Sequence, residues 1–271
     1  MSCPNCVRGV VLPGEPEGTM RTDLDAYLAS PNKSGDQWTP STHAVVLLTD
    51  IFGLKLVNCK IMADRFSREL GCDVWVPNIF DPEAPVGVDE LELPDRAGVK
   101  MSWGAIFRLV WIAATRLPTV LRNTPTKASA RAEQFIERIR SDYKYTGVGA
   151  VGYCFGGSVV YKIASTSLVE TAVVAHPGGF SDEQVKAIRV PISWALAEDD
   201  HGIPQKKADQ AEALFAERKG KEGYVDYEFK VYPGTAHGFA ARPNLAVPEV
   251  KAGYEGAFEQ AVGWFKKTLT T

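Results

Sequence analysis

The sequence predicts a doubly wound α/β fold, in which helices cover both faces of a mostly parallel sheet. Continuous apolar runs such as 43–49 and 168–175 are typical of parallel strands that are buried on both faces. Amphipathic segments such as 56–70 alternate with these runs along the chain. The 271 residues, 45% of them apolar, suffice for one well-buried domain, and the sequence contains no repeat, linker or low-complexity tract that would divide 1–271.

The first elements are expected to be an edge strand, a central strand, a helix and a further strand. The edge strand over 22–29 stops at a turn-forming stretch of proline, asparagine, serine and glycine. Beyond the strand at 43–49, the helix over 56–70 carries apolar residues at helical spacing and stops at Gly71, which suits a left-handed C-terminal position. The run 72–77 forms the next strand.

Residues 80–126 interrupt this alternation. The first part is rich in proline and acidic residues, and the part from 103 to 117 carries two tryptophans among aliphatic residues at helical spacing. This part is either a core helix or a lid that walls an apolar pocket, and a short helical lid insertion over about 80–126 is the expectation carried forward. Three arginines along it could offer a cation to an acidic substrate, although solvated positions explain them equally: Arg108, Arg116 and Arg122.

The alternation resumes after residue 126. An amphipathic helix over 127–139 is expected to turn Ala130, Ala132, Phe135 and Ile136 inward. The same patterns predict strands at 145–151, 168–175, 190–197 and 225–232, and helices at 158–164, 205–219 and 257–269.

The turn over 152–157 is the centre of the predicted site. It joins a strand to a helix and places Cys154 between Gly152 and Gly156, which is the nucleophile-elbow pattern with cysteine in place of serine. A strained strand-to-helix turn leaves no room for Cβ atoms at the flanking positions, and the free N–H groups of the following helix favour a thiolate. Taken alone, the pattern also fits a buried, inert cysteine.

Two downstream loops supply an acid and a histidine in the chain order that this fold class uses. Asp200 follows one predicted strand and precedes the proline that opens the next helix, and His237 lies in a glycine-containing loop after the last strand. Cys154, His237 and Asp200 are therefore predicted to form a catalytic triad. The adjacent His201 is less well placed in chain order to be the base.

Further candidates lie at the carboxyl ends of predicted strands, where doubly wound sheets bind ligands. The backbone N–H groups of Phe155 and Ile51 are predicted to form an oxyanion hole. Asp50 either takes part in the site or only bends its loop. His176 either lines the pocket or, as is commoner for a lone histidine, makes a structural hydrogen bond.

Composition argues against several classes of partner. A net charge of −3 provides no basic surface for nucleic acid and no polybasic patch for a membrane. The N-terminal residues lack the layout of a secretion signal, and no run is apolar enough to cross a bilayer. Five cysteines without framework spacing fit a reducing, cytosolic compartment, with Cys3 and Cys6 as loop thiols. A monomer or a homodimer is expected.

In these motifs the chain resembles the dienelactone hydrolase family of α/β-hydrolases. The resemblance rests on 50–53, 152–157, 200–204 and 237–240, and it extends over most of 40–265. It implies an α/β-hydrolase fold and cysteine-dependent hydrolysis of a lactone or activated ester of a small organic acid. It implies a thioester intermediate on Cys154 and no metal or organic cofactor.

The resemblance also implies roles for residues around the triad. Family enzymes of the chlorocatechol pathway carry glutamate where Asp50 stands, and that acid helps to control protonation of the thiol. They use an arginine shortly after the histidine to hold a substrate carboxylate, and Arg242 lies one residue further along. Asp50, Phe52, Arg242 and His176 are therefore expected to gate the thiol or bind substrate, and the departures bear on the substrate more than on the chemistry.

Two other functions stay open at this stage. The same thiolate could serve an enzyme of secondary metabolism that forms or isomerises a lactone. The fold could also be a non-catalytic binder of small molecules that retains a relict triad.

Overall fold

The computed structural model describes residues 11–34, 37–91 and 93–269. Within these ranges, ten strands and eight α-helices follow one another along the chain. The strands are β1 (Thr19–Arg21), β2 (Ala26–Ala29), β3 (Lys33–Ser34), β4 (Gln37–Trp38), β5 (His43–Leu48), β6 (Asp73–Pro77), β7 (Gly147–Tyr153), β8 (Thr171–Ala175), β9 (Ile192–Asp199) and β10 (Tyr227–Ala236). The helices are α1 (Asn58–Leu70), α2 (Trp103–Thr115), α3 (Leu117–Arg122), α4 (Pro125–Tyr143), α5 (Phe155–Ile163), α6 (Asp182–Ala187), α7 (Gln205–Ala216) and α8 (Pro248–Thr268).

Eight of these strands form one sheet, in the order β1-β2-β6-β5-β7-β8-β9-β10. The six strands from β6 to β10 in that order are parallel, whereas β2 pairs antiparallel with β6 and β1 antiparallel with β2. β3 and β4 pair only with each other in the described ranges. The predicted doubly wound, mostly parallel sheet is confirmed.

The strand order reverses at β5. The next strand along the chain, β6, lies on one side of β5, and β7 lies on the other side. Open α/β sheets bind ligands beyond the carboxyl ends of the strands at such a reversal. Leu48 at the end of β5 is paired with Gly152 in β7, so the residues that follow these two strands emerge side by side. The loop from Thr49 and the turn at Cys154 are therefore neighbours.

Helices cover both faces of the sheet, as predicted. Alternate strand residues such as Val46 and Val148 pack with the buried side chains of α4, α5 and α7. The intervening residues, such as Val45 and Val151, pack with α1 and α8 on the opposite face. Because both faces are covered, the central strands are apolar at consecutive positions rather than at every second one.

Several predicted boundaries were wrong for local reasons. The edge strand predicted over 22–29 is divided into β1 and β2 by a turn in which Asp25 takes a positive φ of 46°. Ala130 is exposed, since the inward stripe of α4 runs through Ala128, Ala132, Ile136 and Ile139 at helical spacing. The elbow helix starts directly after Cys154 rather than at residue 158, and α8 starts at Pro248, a favoured first helical residue, rather than at 257.

The insertion between β6 and α4 carries α2 and α3. Of the thirteen residues of α2, only Ala105 and Ile112 are buried, and Trp103 is 87% exposed. The alternative of a core helix is therefore wrong for this segment. Cys3 and Cys6 lie outside the described residues, and within the described ranges no helix combines the length and apolar character needed to span a bilayer.

Substitutions of glycine can measure how closely the helices pack on the sheet, and Gly156 in the turn after β7 is the more closely packed of two such positions. A Cβ on Gly156 would lie 2.2 Å from the carbonyl oxygen of Leu48, whereas a Cβ on Gly263 in α8 would meet nothing within 4 Å. We expect Gly156→Ala to lower the free energy of unfolding by about 1–3 kcal/mol, as overpacking does. Gly263→Ala should raise it by up to about 1 kcal/mol through helix propensity. Thermal melting followed by circular dichroism would contradict this account if Gly156→Ala melted at or above the wild-type temperature.

Candidate active site

Cys154 occupies a strained turn between β7 and α5. Its backbone has φ 53° and ψ −113°, a conformation that residues with a Cβ rarely adopt. The N–H of Cys154 donates to the carbonyl oxygen of Ala175 at the end of β8, at 3.1 Å. A Cβ on Gly152 would lie 2.3 Å from the carbonyl oxygen of Gly156, so the flanking glycines are required, as the sequence predicted. The turn holds the partly exposed Cys154 at the carboxyl end of β7, where the strand order reverses.

His237 lies between Cys154 and Asp200 and contacts both. Its Nε2 is 3.1 Å from Sγ of Cys154, and its Nδ1 is 2.9 Å from Oδ1 of Asp200. The side chain of His237 is 9% exposed and that of Asp200 is 1% exposed. The structure therefore brings the three predicted residues into one chain of contacts, although 83 residues separate Cys154 from His237.

Asp200 is held by more than the histidine. Its Oδ1 also accepts from the backbone N–H groups of Gly202 at 2.7 Å and Ile203 at 3.3 Å. Its acidic neighbours are exposed and bind elsewhere, because Glu198 accepts from the N–H of Gly234 and Asp199 from that of Gly98. Only Asp200 of these three acids contacts His237 through a hydrogen bond.

The charges around His237 favour its protonated form. Burial lowers the pKa of His237, but the adjacent Cys154 and Asp200 outweigh burial and raise the pKa to about 10. An imidazolium in this position donates Nδ1–H to the carboxylate and Nε2–H to the sulfur. The arrangement can therefore accept the thiol proton on the histidine when the sulfur acts as a nucleophile.

His176 lies directly behind His237 instead of lining an open pocket. Its ring is fully buried, and its centroid is 5.1 Å from that of His237 in an edge-to-face arrangement. Burial holds the pKa of His176 well below its usual value, and the positive charges of His237 and Arg242 act in the same direction. Neither ring nitrogen has a hydrogen-bond partner in the described part of the chain, so the expected structural hydrogen bond is not present there.

Asp50, Phe52 and Arg242 form a closed group beside the site. Nε of Arg242 donates to Oδ2 of Asp50 at 3.1 Å, and the N–H of Phe52 donates to Oδ1 at 3.0 Å. The guanidinium also lies 5.0 Å from the centroid of the Phe52 ring. Both members of the ion pair are buried, with 8% of the Arg242 side chain exposed. In this arrangement the cation of Arg242 is already neutralised by Asp50.

The predicted oxyanion donors, Phe155 and Ile51, lie on the two segments that emerge side by side. Phe155 is the first residue of α5, where a backbone N–H has no acceptor within its own helix. Gly156 packs against the carbonyl groups of Leu48 and Thr49, which brings the start of α5 against the loop that carries Ile51. Their role as donors stays a prediction.

An apolar cleft of about 710 Å³ opens next to His237. One wall is formed by Trp103, Ile106 and Leu109 of α2, and the facing wall belongs to the segment from Leu93 to Met101. Asp199, His201, Ala236 and His237 also line it, whereas Cys154 is not among its lining residues. The sequence predicted a lid over this segment but not which side of α2 faces the site, because that depends on how the segment folds back.

Asp200, His201 and His237 also offer three ligand atoms within 4.8 Å of one another. Both ring nitrogens of His237 are engaged, Nδ1 with Asp200 and Nε2 with Cys154. A metal ion could bind His237 only by displacing one of these contacts. We therefore assign this group to the Cys154 site and not to a metal.

Comparisons with known proteins agree with the geometry. A family model described as the dienelactone hydrolase family matches residues 24–269. A curated relative, hydrolase tropI of Talaromyces stipitatus, is 29% identical over 97% of this chain and 95% of its own length. A carboxymethylenebutenolidase homolog of Xenopus tropicalis is 25% identical, over 91% of this chain and 88% of its own. A crystal structure of a candidate dienelactone hydrolase from Klebsiella pneumoniae has a TM-score of 0.62 at 15% identity, covering 89% of this chain and 92% of that one. The predicted α/β-hydrolase fold is confirmed.

The state of the thiol can be read from its alkylation by iodoacetamide. A free cysteine ionises with a pKa of about 8.5, so its alkylation slows about tenfold for each pH unit below that value. Because Nε2 of His237 lies 3.1 Å from Sγ of Cys154, we expect Cys154 to be alkylated at pH 6.5 at least about tenfold faster than a free thiol. His237→Ala should remove most of this difference.

The other described cysteines serve as internal references in the same mass spectra. Burial raises the pKa of Cys72 to about 12 and also raises that of Cys59, so both should stay unmodified in the folded protein. Equal alkylation rates for Cys154 in the wild type and in His237→Ala would contradict activation of the thiol by the histidine.

Proposed function

Because the chain belongs to the dienelactone hydrolase family and is an ester or lactone hydrolase, we propose that it cleaves a lactone or an activated ester through Cys154, His237 and Asp200. The observation that carries this proposal is the unbroken series of contacts from Sγ through the imidazole to the carboxylate, at 3.1 Å and 2.9 Å. The order of the three residues along the chain is the order that α/β-hydrolases use.

In the proposed reaction, the thiolate of Cys154 adds to the ester carbonyl, and negative charge develops on the carbonyl oxygen. In the proposal, the N–H groups of Phe155 and Ile51 donate to that oxygen. The C–O bond then breaks, the imidazolium of His237 gives its proton to the departing oxygen, and the acyl group remains on sulfur as a thioester. Asp200 fixes the tautomer and orientation of the imidazole throughout.

The second half of the reaction returns the enzyme to its starting state. The imidazole, now neutral, removes a proton from a water molecule as the water attacks the thioester carbonyl. The C–S bond breaks, the acid product carries one oxygen atom from water, and the sulfur leaves as thiolate beside the protonated His237. No redox change occurs in either step.

A sulfur nucleophile also restricts the substrate. The tetrahedral intermediate expels whichever group is the weaker base, and a thiolate, with a conjugate-acid pKa of about 8.5, leaves more readily than an ordinary alkoxide. A phenol, with a pKa of about 10, is close enough to the thiol for protonation by His237 to direct the outcome. Aryl esters, enol esters and enol lactones are therefore the proposed substrate class, rather than alkyl esters or amides.

The other residues of the site retain supporting roles in the proposal. Arg242 could bind a substrate carboxylate only after exchanging its contact with Asp50, because its side chain is buried in that ion pair. Asp50 holds Arg242, and its carboxylate also interacts electrostatically with His237, which contacts the thiol. Phe52 lies under the guanidinium and His176 behind His237, so both are proposed to hold their neighbours in place.

The proposal is tested by cysteine variants assayed against a panel of lactones, enol esters and aryl esters. Cys154→Ala should reduce kcat/KM by at least about 10³-fold. Cys72→Ala changes a buried cysteine beside the start of β6, at the opposite edge of the sheet, and should stay within about threefold of wild type.

Two further readouts examine the intermediate and the direction of reaction. Acid quenching during turnover should give Cys154 peptides that carry the mass of the acyl group. In H₂¹⁸O the acid product should contain one labelled oxygen. A product without the label would instead indicate lactone formation or isomerisation on the same thiolate.

The acid is tested by a matched pair of amide substitutions. Asp200→Asn keeps the shape of the side chain but removes the charge that orients His237, and should lower kcat by about 10²–10⁴-fold. Glu198→Gln changes an exposed neighbouring acid that binds only the N–H of Gly234 among the contacts described above, and should leave kcat nearly unchanged. Equal losses in the two variants would show that Asp200 acts through loop stability and not through the histidine.

A further inference from the structure

The helix α2 exposes apolar side chains on more than one side, and one group of them lies beside the proposed site. Trp103 is 87% exposed, yet it stands at the mouth of the cleft that ends at His237. Ile106 and Leu109 continue the same wall and are each more than one third exposed. Large apolar side chains left open to water beside a concave site are typical of surfaces that a ligand covers.

The facing wall of the cleft has the same character. Leu93, Pro94, Val99 and Met101 line the cleft together with the residues of α2, and its polar lining residues are Lys100, Asp199, His201 and His237. The volume of about 710 Å³ falls in the range of pockets that enclose a ligand larger than a small organic acid. Since Nε2 of His237 lies 3.1 Å from Sγ of Cys154, a substrate with its carbonyl at the sulfur would place an apolar group in this cleft.

The cleft offers little to a carboxylate. Among the residues that line it, the exposed Lys100 is the only cation besides His237, and Asp199 adds a negative charge. Arg242 is buried in its pair with Asp50. Arg116 binds both oxygens of Glu90, and together with Arg108 it lines a separate groove on α2. Charge thus does not favour a small dicarboxylate or a similar anionic substrate in this cleft.

We propose that Trp103, Ile106 and Leu109 form the specificity-determining wall of the site, and that the substrate carries a bulky apolar group, preferably a planar aromatic ring. A ring placed between the two walls would pack on the indole of Trp103 and remove both surfaces from water. This inference rests on the proposed function for the identity of the reacting bond, but the binding of the apolar group does not require turnover.

The chain supplies a matched control for this wall on the same helix. Trp111 is also an exposed tryptophan of α2, at 61%, but it lines the separate groove together with Phe107 and Arg116. Trp103→Ala and Trp111→Ala remove the same side chain from the same helix. Only the first removes it from the cleft at His237.

The experiment compares kcat/KM for two pairs of esters in the wild type and both variants. Phenyl acetate and 2-naphthyl acetate differ in the size of the leaving group, and p-nitrophenyl acetate and p-nitrophenyl benzoate differ in the acyl group. We expect the wild type to prefer the larger member of at least one pair. Trp103→Ala should reduce that preference about tenfold, mainly through KM, while kcat for the smaller ester stays within about twofold.

The control variants distinguish recognition of the apolar group by Trp103 from a general effect of a substitution on α2. Trp111→Ala should retain the wild-type preference within about twofold, and Trp103→Phe should retain most of it because a ring remains at the position. Equal losses in Trp103→Ala and Trp111→Ala, or an unchanged preference in both, would overturn the assignment of the wall while leaving the proposed hydrolysis intact.

Failure of the proposed function is distinguishable from failure of this inference. In a Cys154→Ala background, binding of 2-naphthyl acetate and p-nitrophenyl benzoate is measured by calorimetry without turnover. Adding Trp103→Ala should weaken the binding of at least one of the two about tenfold, and adding Trp111→Ala should not. If the wild type hydrolysed none of the four esters, the triad proposal would fail, and this binding difference would still support or overturn the wall by itself.

Discussion

The close packing of α5 on the end of β5 is the constraint on which the rest of the site depends. Gly156 approaches the carbonyl oxygen of Leu48 so closely that no side chain fits between them. Leu48 is paired with Gly152, so the same contact fixes where β7 turns into the helix. Cys154 is left at a positive φ, and such strain persists only where the surrounding structure determines the conformation. Here the determining structure is the buried sheet, covered on both faces, from which the turn cannot relax without separating the helix from the strand.

The charges around His237 then act on the thiol of Cys154, which the turn presents. Asp200 is almost completely buried, and two backbone N–H groups hold the same oxygen that contacts His237. The imidazole therefore has little freedom to rotate, and its second nitrogen is directed at the sulfur. His176 adds a buried ring behind the imidazole that is kept neutral and so does not compete for the proton. Burial lowers the pKa of His237, but the adjacent Cys154 and Asp200 outweigh it, so the protonated imidazole is favoured beside the sulfur.

The chemistry-bearing part of the site could be predicted from the sequence because its signals are local. The glycines around Cys154, the proline shortly after Asp200 and the glycine-containing loop at His237 each report backbone geometry within a few residues. The ion pair of Asp50 and Arg242 joins residues 192 positions apart, and no local sequence pattern predicts it. The burial of His176 and the exposure of Trp103 likewise depend on tertiary packing, since the same apolar helical spacing suits a core helix and a surface wall.

In the proposal, catalysis and substrate selection belong to two different parts of the fold. The thiol, histidine and acid follow strands of the central sheet, where neighbouring strands hold their backbone positions through hydrogen bonds. The apolar wall belongs to an insertion between β6 and α4, most of whose side chains make no part of the core. The packing of Gly156 on Leu48 does not involve this segment, although its Phe80 packs on Phe155 at the start of α5, with ring centroids 5.2 Å apart. The closed Asp50–Arg242 pair fits the same division, since it withdraws a cation from substrate binding and leaves selection to the apolar surface.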